Sequence, residues 1–198
     1  MTLSKQIYFP TDDDITFRSL REAFMSYGIE LFPARLEIQN VLSENIVAVA
    51  RGKVVHAFDK LKKPCVAVES EFYLDAVPGF PGVHTNAALE KLGLEGILDK
   101  VNGGPRGCSF RHCLAYINGT RAEPNYFESE ARGRLSERPQ GVLKPEHWSP
   151  LFKIFIPEGC NDTLAELSDK EYARWNIVMA KDSFLAKFAA WLVHKQGL

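Results

Sequence analysis

Residues 65–83, CVAVESEFYLDAVPGFPGV, constrain the fold more than any other stretch. A short apolar run, Cys65-Val66-Ala67-Val68, leads into three acids, Glu69, Glu71 and Asp75, and then into a turn segment, Pro78-Gly79-Phe80-Pro81-Gly82. A continuous apolar run of this length reads as a strand buried on both faces, which belongs in a sheet covered by helices. Carboxylates delivered to the end of such a strand, beside a rigid turn, are how α/β proteins build sites for a cation or a phosphate. In extended backbone Glu69 and Glu71 share one face and Ser70 takes the other.

The remaining periodicities extend this into a layered domain. Gln6 to Phe9 reads as a first strand and Pro10 to Asp14 as an acidic turn. A helix begins near Thr16, with Phe17, Leu20 and Phe24 on one side and Gly28 as its stop. Ile29 to Ile38 reads as extended, interrupted by Pro33. A long helix runs from Ser43, as N-cap, to Leu61. Asn86 to Val101 is helical in two pieces broken at Gly93. Ser109 to Ile117 and Tyr126 to Leu135 read as strands joined across an Asn118-Gly119 hairpin signal. Glu137 to Pro150 is loop, Leu151 to Ile156 a strand, and Asp182 to Lys195 the last helix. Alternating strands and helices, then a hairpin, then further helices, predict a mixed β-sheet flanked by helices.

With 198 residues, 45% apolar and 25% charged, the chain suits one domain with its own core and no disulfide staples. A formal net charge of -1 gives no basic footprint, which argues against nucleic-acid or anionic-membrane partners. No run of about 18 apolar residues is present, and the opening MTLSKQIYFPTDDD is not a signal peptide. The four cysteines fit no zinc or redox spacing, and read as reduced thiols of a cytoplasmic protein. The five histidines show no ligand spacing.

The 68–83 stretch resembles the inosine triphosphatase family, pyrophosphatases of non-standard purine nucleoside triphosphates, where the same place reads V-E-D-T/S-G-L-x-V-D-A-L-x-G-x-P-G-V. Here Ser70 stands where the family has its catalytic Asp. The resemblance continues through Leu94-Glu95-Gly96-Ile97-Leu98, the FESEARGRLSERPQG frame of 127–141, Phe155-Ile156-Pro157-Glu158-Gly159 and Ala165-Glu166-Leu167-Ser168. It implies a single two-lobed domain over residues 1–198, with an elongated mixed sheet and a central cleft. It also implies Mg²⁺-dependent hydrolysis of a nucleoside triphosphate to monophosphate and pyrophosphate, and a homodimer formed through Phe80, Val83 and His84.

The resemblance also implies site residues along the chain. Thr11 is kept from the family's T-x-N-x-x-K phosphate loop, while Asp13 replaces the Asn and Thr16 the Lys; Arg18, two residues on, is the candidate for the missing charge, the alternative being that the acids serve only the first turn of the helix. Lys53, eleven residues before Pro64, matches the family's phosphate-binding Lys. The family's metal-binding Glu falls at Ala48, and Glu44, one helical turn earlier, is the candidate stand-in beside Glu69. Glu69, Ser70 and Glu71 form the catalytic cluster, with a glutamate taking the role of the missing Asp. The purine-packing F-G-Y-D-P aligns with Ser149 to Lys153, leaving Trp148 or Phe152 as candidate stacking rings, with core packing the alternative role for either. Asn176, Ile177 and Val178 fall where the family's base-reading S-H-R stands, and Arg174 is the nearby cation. Two functions fit this pattern: a divergent pyrophosphatase, and a nucleotide-binding or interaction protein without turnover.

Overall fold

The computed structural model describes residues 6–11, 14–37, 41, 43–119 and 123–195. Among these residues seven strands form one sheet in the order β2-β1-β3-β5-β6-β7, with β4 paired to β3 outside that path. Helices flank the sheet: the mixed α/β architecture expected from the sequence is the one observed. Backbone packing divides the chain into two compact units. The first comprises residues 1–69, 112–129 and 182–198, and the second residues 70–111 and 130–181.

In the first unit, β1 (Ile7–Pro10) pairs in parallel with β2 (Leu31–Ala34) and with β3 (Cys65–Leu74). Pro33 is accommodated because β2 is an edge strand, where a missing N–H removes no ladder bond. Between them α1 (Asp14–Met25) starts two residues earlier than expected and stops at Gly28, whose φ of 71° is the left-handed stop read from the sequence. Helix α2 (Ile46–Leu61) differs at its start. Asn45, not Ser43, is the N-cap: its side chain accepts hydrogen bonds from the Val47 and Ala48 amides, while Ser43 accepts from the Asn45 amide. On this helix Gly52 is required by close approach, since a Cβ there would sit 2.5 Å from Val41 Cγ2.

The last helix of this unit, α5 (Phe184–Lys195), closes its core. Phe188 is fully buried and meets the rings of Phe24, Tyr116, Phe127 and Trp191 at centroid distances of 5.2–6.4 Å.

The second unit departs more from expectation. β3 does not end at Val68 but runs to Leu74, because Phe72, Tyr73 and Leu74 continue the extended pattern and bury Phe72 and Leu74. The 69–71 carboxylates therefore lie within a strand rather than after it. The expected 78–82 turn is itself a strand, β4 (Val77–Gly82), paired antiparallel with β3; the reversal is made at Asp75-Ala76. Helix α3 (Thr85–Asp99) is broken at Gly93, φ 65°, as read. β5 (Gly107–Ile117) and β6 (Asn125–Leu135) are sheet neighbours.

Residues 150–153 are not strand but a 3₁₀ turn, with Pro150 opening it and the Ser149 hydroxyl accepting from the Leu151 amide, so β7 is only Phe155–Pro157. Helix α4 (Asp169–Ala180) has no counterpart among the expected elements. Its signal was the Ser168-x-x-Glu171 capping box, in which each side chain bonds the other residue's amide.

Truncating Phe188 to Ala should cost about 3–5 kcal/mol of unfolding free energy, because five rings share that contact and cannot close over the void. Denaturant unfolding of the variant measures it; a cost under about 1 kcal/mol would show that this core is not packed as described.

Candidate functional site

In the first unit the site is built from the parallel β1–β3 pair and α2. Tyr8 of β1 pairs with Cys65 of β3, and Thr11 follows directly after β1. Thr11 is buried, and its amide donates to the Ala34 carbonyl at 3.1 Å. Glu69 is only 7% exposed. Lys53, one face of α2 away from the solvent side, brings its Nζ to 2.8 Å from Oε1 and 2.9 Å from Oε2 of Glu69. A carboxylate this deep needs a partner, and both of its oxygens have the same one. Burial pushes the Glu69 carboxyl above the usual carboxylate range, and the Lys53 ammonium pulls it back.

The other groups expected here are less engaged. Arg18 is exposed on α1. Asp13 lies outside the described residues; its neighbour Asp14 opens α1 and is paired with Arg35, so one acid of that loop already has a cation. Glu44 is exposed and precedes the N-cap, so it does not sit on the helix face that sequence reading assigned to it; the Asn45 cap moves the helix start past it. Cys65 and Cys113 are buried and both are pushed up to about 12 by burial, Cys113 also by the Glu128 and Glu69 charges, so neither thiol supplies a nucleophile.

In the second unit Ser70 is exposed and Glu71 half-buried, alternating along β3 as extended backbone requires. Trp148 is 54% exposed and packs edge-on against Phe110 and Phe152, both at 5.2 Å. Phe152 is wholly buried, which corrects its assignment as a stacking ring: the 3₁₀ turn points it into the core, and Trp148 alone of the two has a face for a base. Arg174 is exposed on α4, as are Asn176, Ile177 and Val178.

Sequence reading passed over His147. Its Nδ1 accepts from the Lys144 amide at 3.2 Å, which leaves the proton on Nε2, and its ring packs on Phe152 and Tyr172. It also passed over a hollow of about 280 Å³ lined by Arg132, Arg134, Ile156, Glu158 and Cys160. The available signal was the Arg-x-Arg spacing, which puts both guanidiniums on one face of a strand.

Fold and site together define a mixed α/β protein in which a half-buried lysine pairs with a buried carboxylate. The Ham1 family profile matches residues 8–177, and the chain belongs to the Ham1 family. It is 27% identical over 187 residues to a dITP/XTP pyrophosphatase of Methanopyrus kandleri, covering 94% of this chain and 95% of that one. It is 30% identical over 183 residues to a dITP/XTP pyrophosphatase of Saccharolobus solfataricus, covering 92% and 91%. The fold superposes on a HAM1 protein from Coxiella burnetii with a TM-score of 0.79 at 19% identity, covering 96% of this chain and 99% of that one. A Staphylococcus aureus Ham1 protein gives 0.75 at 18% identity, covering 96% and 100%.

Replacing Lys53 by Met should destabilise the protein by about 1–3 kcal/mol at neutral pH, because Glu69 is left charged and unpaired. The sign of its pH dependence follows from the raised carboxyl. With Lys53 gone, the folded state takes up a proton on Glu69 more readily than the unfolded chain, so the deficit is full above the folded pKa and shrinks as pH falls through it. Unfolding titrations at neutral and mildly acidic pH measure this; a deficit that stays constant with pH would contradict it.

Proposed function

We propose that this protein hydrolyses a nucleoside triphosphate to the monophosphate and pyrophosphate, as a Ham1-family pyrophosphatase whose base-reading groups have changed. The observation that carries the reading is the Lys53–Glu69 pair: a cation for phosphate and a carboxylate for cation or water, at the positions that match the family's motifs. The names of the relatives support pyrophosphatase activity in general, not the change of base. Lys53 binds a phosphate oxygen as a point charge. Thr11, after β1, and the N-terminus of α1 are the elements that receive phosphates, a helix N-terminus being suited to anions. Arg18 and Arg174 add positive charge, and Trp148 offers its face to the base.

The residues present suit Mg²⁺. Among the described residues no three acids, histidines or cysteines converge as a metal cage. Mg²⁺ needs none, being commonly held by one or two carboxylates with substrate phosphates and water completing its shell. Glu69 is the carboxylate that would hold it, and Glu44 a second through the loop before α2. When bound, Mg²⁺ supplies charge neutralisation of the phosphates. Glu71 or Glu69 orients the water that cleaves the α–β phosphoanhydride, since the Ser70 hydroxyl is no base at neutral pH. Because Asn176, Ile177 and Val178 replace the S-H-R segment together, deaminated purines are not the preferred bases. The active form is a homodimer through Phe80, Val83 and His84, which a monomeric mass in light scattering would refute.

Ser70 at the family's Asp position favours a second reading, a nucleotide-binding protein without turnover. Glu69→Gln separates the two. In an enzyme it should lower pyrophosphate release by about 10²–10⁴-fold, the usual cost of losing such a group. In a binder it changes nucleotide affinity and nothing else. No release from any common or deaminated triphosphate, at high protein concentration with Mg²⁺ or Mn²⁺, refutes the enzyme reading.

A further inference from the structure

Lys53 neutralises the Glu69 charge. Its ammonium lies within 2.9 Å of both carboxylate oxygens, and Glu69 is only 7% exposed, so the ammonium occupies the place between the two oxygens where a cation would be held. The Lys53 side chain, by contrast, is 28% exposed and hangs on a flexible four-carbon stem, so it can turn outward without unfolding α2. A divalent cation on Glu69 with Lys53 still in place would set two positive centres against one buried carboxylate, with little water between them to screen the repulsion. Among the described residues no cluster of acids, histidines or cysteines offers it an alternative seat.

We infer that Lys53 and a divalent cation are mutually exclusive counter-ions of Glu69: free metal is refused by the resting protein, and an anion that draws Lys53 outward opens the carboxylate to it. The anion, on the reading proposed above, is the polyphosphate of the nucleotide. The consequence is that metal and polyphosphate bind with positive coupling, Lys53 being the element whose two positions both of them bias. Lys53 then acts as more than a phosphate hook. It holds the carboxylate shut until there is substrate to receive the metal, and it keeps the buried charge neutral in either state.

The test uses Mn²⁺ alone, followed by electron paramagnetic resonance and calorimetry on the full chain, without nucleotide. Wild type and Lys53→Arg, which keeps the positive charge, should bind Mn²⁺ weakly and alike. Lys53→Met should bind at least about tenfold more tightly, a difference of about 1.4 kcal/mol. The double variant Lys53→Met with Glu69→Gln should fall back to the wild-type level, which assigns the gain to Glu69. Equal Mn²⁺ affinity in wild type and Lys53→Met, or a gain that survives Glu69→Gln, overturns the inference. Should Lys53→Met fail to fold, Glu69→Gln alone decides: under exclusion it leaves weak Mn²⁺ binding unchanged, and any loss of affinity means that Glu69 already holds metal beside Lys53. A separate arm, thermal stabilisation by a nucleoside triphosphate in excess chelator, tests the nucleotide reading. Its failure removes the proposed anion, while the Mn²⁺ comparison still stands or falls by itself.

Discussion

Strand β3 is the constraint on which the rest turns. Ten residues of unbroken extended chain run beside β1 and β5 and carry β4 on their far part. Val66 enters the core that holds Phe24 and Phe188, and Phe72 and Leu74 enter the one that holds Phe110 and Phe155. Both cores therefore draw on side chains of a single strand, and shifting its register by one residue would turn every one of them to the wrong face. The same alternation sets Glu69 on the opposite face, where Lys53 of α2 meets it. Its burial is a consequence of register, and α2 must then present a cation at Lys53. The site is thus fixed by strand geometry first and by charge second.

Elements whose signals are local were legible in the sequence. The Phe17, Leu20 and Phe24 stripe, the Gly28 stop and the Gly93 break each depend on a few neighbouring residues, and each is where it was expected. Elements decided by pairing were not. Pro78-Gly79-Phe80-Pro81-Gly82 has turn composition, yet hydrogen bonding to β3 makes it strand, with Gly79 and Gly82 in left-handed conformations. Leu151-Phe152 has strand composition, yet the Ser149 cap and Pro150 wind it into a 3₁₀ turn. Composition reports what a segment tolerates, and the partner chooses among the tolerated states.

The candidate site divides along the same line. Lys53 and Glu69 each sit in a recognisable sequence frame, and the structure joins them as an ion pair. Phe152 was misassigned because an aromatic ring near a lost motif looks the same whether it faces ligand or core; only the backbone turn distinguishes the two. Glu44 was misplaced by one competing cap, Asn45, whose amide-facing oxygen won over Ser43. His147 gave no sequence signal, since its partners are a backbone amide three residues away and two rings brought by folding.

Ser70 lies exposed within β3, between residues that anchor both cores, and no backbone peculiarity marks it. Its side chain adds nothing to either core, so the residues that β3 must keep for packing leave this position out. Selection on the fold falls on Phe72 and Leu74, its neighbours along the same strand, and leaves position 70 to answer to other demands.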